Sequence, residues 1–181
     1  MAGADGAARA RRRGAHAAAH GFEKSCRPEE GTLLHVLAAR RGITRAAEIG
    51  TGAGVGAAWI VSGLRPGVPF FTAEIDAALA ARAAELFVDD PDVTVLAGSW
   101  RELLPPEAPF DLIFVDGADA KDDVDAVVDI LAPGGTAVLD DFWFDPALPE
   151  KRRDSWLQHP LLAVVELWVT PERRVLVAVR T

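Results

Sequence analysis

Five short runs of this chain are largely apolar on consecutive positions rather than on every other one: 46–49, 69–75, 93–97, 112–115 and 136–139. A strand of that kind has both faces covered, as strands of parallel sheets do. Helical segments are expected between the runs, at 57–64, 77–87 and 122–131, the last with Val124, Val127, Val128 and Leu131 on one side. A further helix is expected from Pro28, with Glu29 and Glu30 in its first turn, Leu33, Leu34, Val36 and Leu37 on its apolar face, and Gly42 at its end. Strand and helix in alternation predict a doubly wound α/β sheet. The end of the chain breaks the pattern. Runs 161–169 and 174–179 are joined by Thr170-Pro171-Glu172-Arg173, too short for a parallel crossover, so they form an antiparallel hairpin. The expected fold is a mostly parallel seven-stranded sheet closed by that hairpin.

Length and charge narrow the class. A chain of 181 residues, half hydrophobic and a quarter charged, suits one globular domain. Residues 1–20, mostly Ala, Gly and Arg, have little to bury and read as a flexible tail before a single domain at 21–181. The basic run Arg9 to Arg13 reads as part of that solvated tail, and His16 and His20 have no acid or thiol nearby to make a metal site. A net charge of -8 argues against a nucleic-acid partner. No apolar run reaches the ~20 residues of a membrane span, and no secretory signal is expected. One cysteine, Cys26, suits a reducing compartment, so a cytoplasmic protein is expected.

The chemistry concentrates where the first run ends. Gly50, Gly52, Gly54 and Gly56 alternate there and open a helix. Such glycines let backbone approach a ligand closely and leave helix N–H groups facing an anionic group. Gly52-Ala53-Gly54-Val55-Gly56-Ala57 also fits the dinucleotide fingerprint, with Glu74 at the expected distance. Two features argue against a nicotinamide. No separate catalytic domain is expected after the nucleotide half. And Glu48 stands at the strand end, where a carboxylate suits the ammonium of an amino-acid cofactor better than a pyrophosphate.

Ala47-Glu48-Ile49-Gly50-Thr51-Gly52-Ala53-Gly54 resembles motif I of class I S-adenosylmethionine-dependent methyltransferases, acid-x-Gly-x-Gly-x-Gly. Thr72-Ala73-Glu74-Ile75-Asp76 resembles their next motif, whose acid holds the ribose hydroxyls. The resemblance implies a Rossmann-like fold and S-adenosylmethionine as cofactor. It assigns cofactor contacts to Glu48, Gly50, Thr51, Gly52, Gly54, Glu74 and Ile75, with Asp76 as a helix N-cap. Gly98, Ser99 and Trp100 follow the third strand, where the family meets adenine; Trp100 is either a stacking ring or a core aromatic.

Further on, Phe110-Asp111-Leu112-Ile113-Phe114-Val115-Asp116, Leu131-Ala132-Pro133-Gly134-Gly135 and Asp140-Asp141 resemble cation-dependent O-methyltransferases of the catechol and caffeoyl-CoA type. By that resemblance Asp116, Asp140 and Asp141 bind a divalent metal, and Asp116 also lies beside the cofactor. Oxygen ligands of this kind suit Mg²⁺, Mn²⁺ or Ca²⁺. The family's usual lysine falls at position 119, which is Asp119 here; Lys121 is the nearby candidate base, and Asp116 and Lys121 form the expected catalytic pair. Position 56, often Ser in the family, is Gly56, and Gly117 stands where an aromatic is common. The implied reaction is O-methylation of a small-molecule hydroxyl. A metal-free methyltransferase acting on another nucleophile, an NAD(P)-dependent oxidoreductase and a non-catalytic nucleotide-binding module are the alternatives. The acceptor cap is expected from the N-terminal helix and residues 142–160, with Trp143, Phe144 and Trp156 lining an aromatic slot or making homodimer contacts. His35 and His159 are expected to be structural.

Overall fold

The computed structural model describes residues 26–143, 151–171 and 173–181. The expected tail and Phe144 lie outside them, as do the side chains of Asp141 and Trp143. Helix α1 (Pro28–Ala38) leads into β1 (Ala46–Ile49), α2 (Val55–Gly63), β2 (Phe70–Glu74), α3 (Ala77–Leu86) and β3 (Val93–Ala97). One-turn α4 (Trp100–Leu103) precedes β4 (Phe110–Val115), one-turn α5 (Ala118–Lys121), α6 (Val124–Ile130) and β5 (Leu131–Trp143). Helix α7 (Lys151–Leu157) leads into the hairpin of β6 (Leu162–Thr170) and β7 (Arg173–Arg180).

The seven strands form one sheet in the order β3-β2-β1-β4-β5-β7-β6. Neighbours from β3 through β5 run parallel, and β7 is antiparallel to both β5 and β6. This is the expected sheet and hairpin. The departures are at the ends of elements: β5 is much longer than 136–139, and the short helices α4, α5 and α7 are additional.

The central strands bury both faces, as their sequence requires. Ala46 of β1 faces a core with Leu34 of α1, Trp59 and Ile60 of α2, Phe70 and Phe114. Its neighbours Ala47 and Ile49 face the opposite core with Trp100, Phe110, Ile113, Val127, Leu139 and Trp156. Only the edge strands β3 and β6 show half-open patterns.

Helices α1 and α2 cross closely because glycines stand at the contact. A Cβ on Gly31 would come within 2.2 Å of the Trp59 ring, and one on Gly63 within 2.3 Å of the His35 carbonyl oxygen. The carbonyl, being backbone of a helix, cannot swing aside. Gly63→Ala should therefore destabilise the fold by about 2 kcal/mol, the order found for overpacked cores. Intrinsic helix propensity alone predicts a gain of about 1 kcal/mol for the same change. Urea denaturation decides between the two signs, and a stabilised variant would refute the contact.

Candidate active site

Parallel pairing sets the site's geometry. Ile49 pairs with Ala73 on one side and Val115 on the other, and Val115 pairs with Leu139. Gly50, Glu74, Asp116 and Asp140, each one residue further on, therefore share one edge of the sheet. Crossovers leave β1 and β4 in opposite directions there, which opens a crevice at the carboxyl ends of the strands.

The loop after β1 has left-handed glycines at Gly50, Gly52 and Gly54, with φ of 91°, 50° and 80°. Gly50 also needs its hydrogen, because a Cβ would lie 2.8 Å from the Gly117 nitrogen. Backbone bonds carry the ladder past the strand ends: Gly50 N–H donates to Ala73 O and Gly117 N–H to Ile49 O. Beneath the loop, Thr51 and Thr72 hydroxyls share a bond of 2.5 Å, and Thr72 donates to Glu48 Oε2 at 2.6 Å.

Glu48 is thus a buried carboxyl under the loop rather than part of the crevice wall, which does not contain it. A Cβ on Gly56 would meet Glu48 Oε1 at 2.3 Å, so the side chain of position 48 fills the space that a serine at 56 would need. Glu74 is placed differently. Its Oε2 accepts from Gly52 N–H at 2.8 Å and its Oε1 from Asp76 N–H at 2.9 Å, while the side chain lines the crevice. Asp76 caps α3 by accepting from Ala78 and Leu79 N–H groups, as expected.

The crevice holds about 690 Å³, the size of a pocket for a cofactor with a small ligand. One wall is the glycine loop with Glu74; another is Cys26, Arg27 and Pro28 at the start of α1. The far wall is Asp116, Lys121, Asp140, Phe142, Arg152 and Arg173. Burial pushes the Cys26 thiol far up, so it stays a neutral lining group. Arg152, held by Asp122 in two bonds of 2.6 Å, and Arg173 carried no sequence signal. Nothing in their spacing distinguishes them from surface arginines.

At the acidic end the expected base stands among the expected metal ligands, of which the side chain of Asp141 lies outside the described residues. Lys121 is 4% exposed, and its Nζ donates to Asp140 Oδ1 at 2.7 Å and lies 3.7 Å from Asp116 Oδ1. The expected base therefore sits between two of the expected metal ligands. Among the described residues no group of three or more His, Cys, Asp or Glu is arranged to hold a metal ion. Asp140 is drawn in by a register shift in β5 between Leu139 and Phe142, and such bulges re-aim side chains. Asp119 points the other way and accepts from Trp100 Nε1 at 2.9 Å.

Two aromatic expectations are corrected. Trp100 is 5% exposed and packs in the core beneath β4, with the Arg101 guanidinium 4.5 Å over its ring, so it is the core aromatic and not a stacking wall. Trp156 is fully buried and donates to the Lys121 carbonyl at 2.9 Å, so it forms neither a slot nor a dimer contact. Gly98 has φ of 144° and donates to Glu74 O, and Ser99 starts α4. Ile75 is 76% exposed beside Glu74. Gly98, Ser99 and Ile75 stand near the Glu74 end but do not line the crevice. His35 bonds Ser62 and His159 bonds Asp125, both structural as expected.

The Glu48 carboxyl is raised well above its ordinary range by burial, with Asp116, Asp140 and Glu74 adding to the rise and the Thr72 bond opposing it. The folded chain therefore holds this proton more tightly than the unfolded chain. That stabilisation is complete below the unfolded pKa of about 4.3 and is lost as pH climbs through the raised value. The contribution of Glu48 to thermal stability should fall as pH rises from about 4, so the unsubstituted chain should lose more, or gain less, stability with pH than Glu48→Gln. An unchanged slope in the variant would remove Glu48 from the account.

Residues 47–142 match the family described as "Methyltransferase domain". The Mycobacterium tuberculosis protein named "Probable O-methyltransferase Rv1220c" is 36% identical over 121 residues, which are 62% of this chain and 54% of that one. The chain thus spans about half the length of the curated relatives it matches. The O-methyltransferase TomG of Streptomyces achromogenes, solved in complex with SAM, superimposes with a TM-score of 0.78 over 95% of this chain and 89% of that one, at 23% identity. A Bacillus cereus O-methyltransferase solved with SAH gives 0.80 over 96% and 91%, at 19% identity. At these identities the likeness is one of fold.

Proposed function

The chain belongs to the methyltransferase-domain family, and from that premise we propose that it transfers a methyl group from S-adenosylmethionine to the hydroxyl of a small molecule. The observation that carries this reading is the crevice itself, which has Glu74 and the glycine loop at one end and Asp116, Lys121 and Asp140 at the other. Glu74 suits a ribose diol. Each carboxylate oxygen gives one lone pair to a backbone N–H and keeps a second for a hydroxyl. Gly50, Thr51, Gly52 and Gly54 let the loop backbone close on the cofactor's amino-acid part, while Gly98, Ser99 and Ile75 flank its base.

S-adenosylmethionine, when bound, supplies a methyl group on a sulfonium, an electrophile that needs positioning more than activation. Asp116, which lines the crevice with a third of its side chain exposed, accepts the acceptor's hydroxyl proton. Lys121, donating to Asp140, has no lone pair to offer as a base, so its part is to hold the acceptor oxygen. Glu48 supports the loop from below. The relatives' names, which carry O-methyltransferase, support oxygen as the nucleophile. No helix among the described residues is long and apolar enough to cross a membrane, which fits a cytoplasmic setting. A homodimer would draw on the exposed apolar side chains of the edge strand, Val165, Leu167 and Trp168; light scattering on the eluted protein reads this directly, and a monomer mass rules it out.

Isothermal titration of the chain with S-adenosylmethionine and, separately, with NAD(H) tests the cofactor. Binding of S-adenosylmethionine alone is expected, and binding of NAD(H) alone would end this reading. Glu74→Ala should weaken S-adenosylmethionine by about 10- to 100-fold, the size of lost hydrogen bonds to a charged group.

A further inference from the structure

We propose that the Lys121 ammonium is the permanent cation of this site and takes the place of a divalent metal. The inference rests on the methyl-transfer reading of the same crevice and concerns what neutralises its acids.

Its first support is position. Nζ lies 2.7 Å from Asp140 Oδ1 and 3.7 Å from Asp116 Oδ1. An ion bridging those carboxylates would need contacts of about 2.0–2.6 Å from the same region of space. A divalent ion and an ammonium cannot share it, since they repel at short range and compete for the same lone pairs.

The second support is how Lys121 is held. Its side chain is 5% exposed, as is that of Asp140. Its carbonyl accepts from the indole of fully buried Trp156, and its N–H donates to Gly117 O at the start of α5. Moving the ammonium out would remove the cation that lies 2.7 Å from a buried carboxylate and disturb the packing of α5 on α7. This is a fixed counter-charge rather than a mobile surface lysine.

The third support is sequence spacing. Residues two apart on a helix point about 200° apart. A lysine at 121 rather than 119 thus turns inward to β5, while Asp119 turns out to Trp100, with 64% of its side chain exposed. Position 121 therefore places its side chain between the acids, where position 119 does not. An ammonium has three donors. Asp140 takes one, and Lys121 lines the crevice, so another can meet the acceptor oxygen and steady its developing negative charge.

Mn²⁺ is a direct probe, because its electron paramagnetic resonance signal falls when the ion binds protein. Added to the metal-free chain, Mn²⁺ should keep its full free signal, and Mg²⁺ should leave the melting temperature unshifted. Lys121→Met, similar in length and uncharged, should take up about one Mn²⁺ per chain and melt higher in its presence. Uptake of Mn²⁺ at the acids by the unsubstituted chain overturns the proposal, and so does a folded Lys121→Met that takes up none. If Lys121→Met does not fold, the unsubstituted chain decides alone. S-adenosylmethionine titrated in excess EDTA should bind as it does with Mg²⁺ present. Affinity that appears only with Mg²⁺ overturns the cation assignment. Absence of binding in both removes the methyl-transfer reading, and with it this proposal, whatever Mn²⁺ does.

Discussion

The close approach of the loops after β1 and β4 sets the rest of the site. Gly50 and Gly117 meet backbone to backbone, with no room for a Cβ on Gly50. That contact extends the ladder one residue past the strands, through Gly117 N–H to Ile49 O. It fixes the height at which the glycine loop turns, and so where Gly52 can offer its N–H to Glu74. It also fixes where Asp116 emerges and where α5 begins. Loosening it would shift both ends of the crevice at once.

The acids of the site divide by their environments. Glu48 has little solvent, shares its surroundings with other carboxylates, and keeps its proton more tightly than usual. Asp140 is buried as deeply but has an ammonium 2.7 Å away. Asp116 is the partly open member. The site therefore combines a carboxyl beneath the loop, a carboxylate that anchors a cation and a partly open carboxylate in the crevice wall. Their roles follow from solvent access and partner rather than from residue type.

The sheet was largely legible in the sequence because the consecutive apolar runs are short, are bounded by turn residues and alternate with longer helical segments. The hairpin was legible because four residues cannot make a crossover. The glycine loop, Glu74 and the Asp76 cap sit where the motifs suggested. Other features depend on contacts between distant segments. Trp100 and Trp156 read as plausible ligand-facing aromatics, yet Asp119 and the Lys121 carbonyl give their indole N–H groups partners inside the protein. The bulge at Asp140 leaves no local mark, since register is decided by β7 across the sheet. Lys121 could be noticed, but not its direction, because α5 is too short to show a period.

The fit of Glu48 against Gly56 has a consequence for substitution. A Cβ at 56 would meet the Glu48 carboxyl on one side and the Phe114 ring on the other, so one of them must move to admit it. The carboxyl is the end of a flexible side chain and the ring is packed in the core, so the glutamate is the partner that gives way. A serine at 56 would then change how Glu48 is held, and with it the Thr72 and Thr51 hydroxyls beneath the loop. The two positions belong to different elements, one to β1 and the other to α2, yet a change at one is felt at the other.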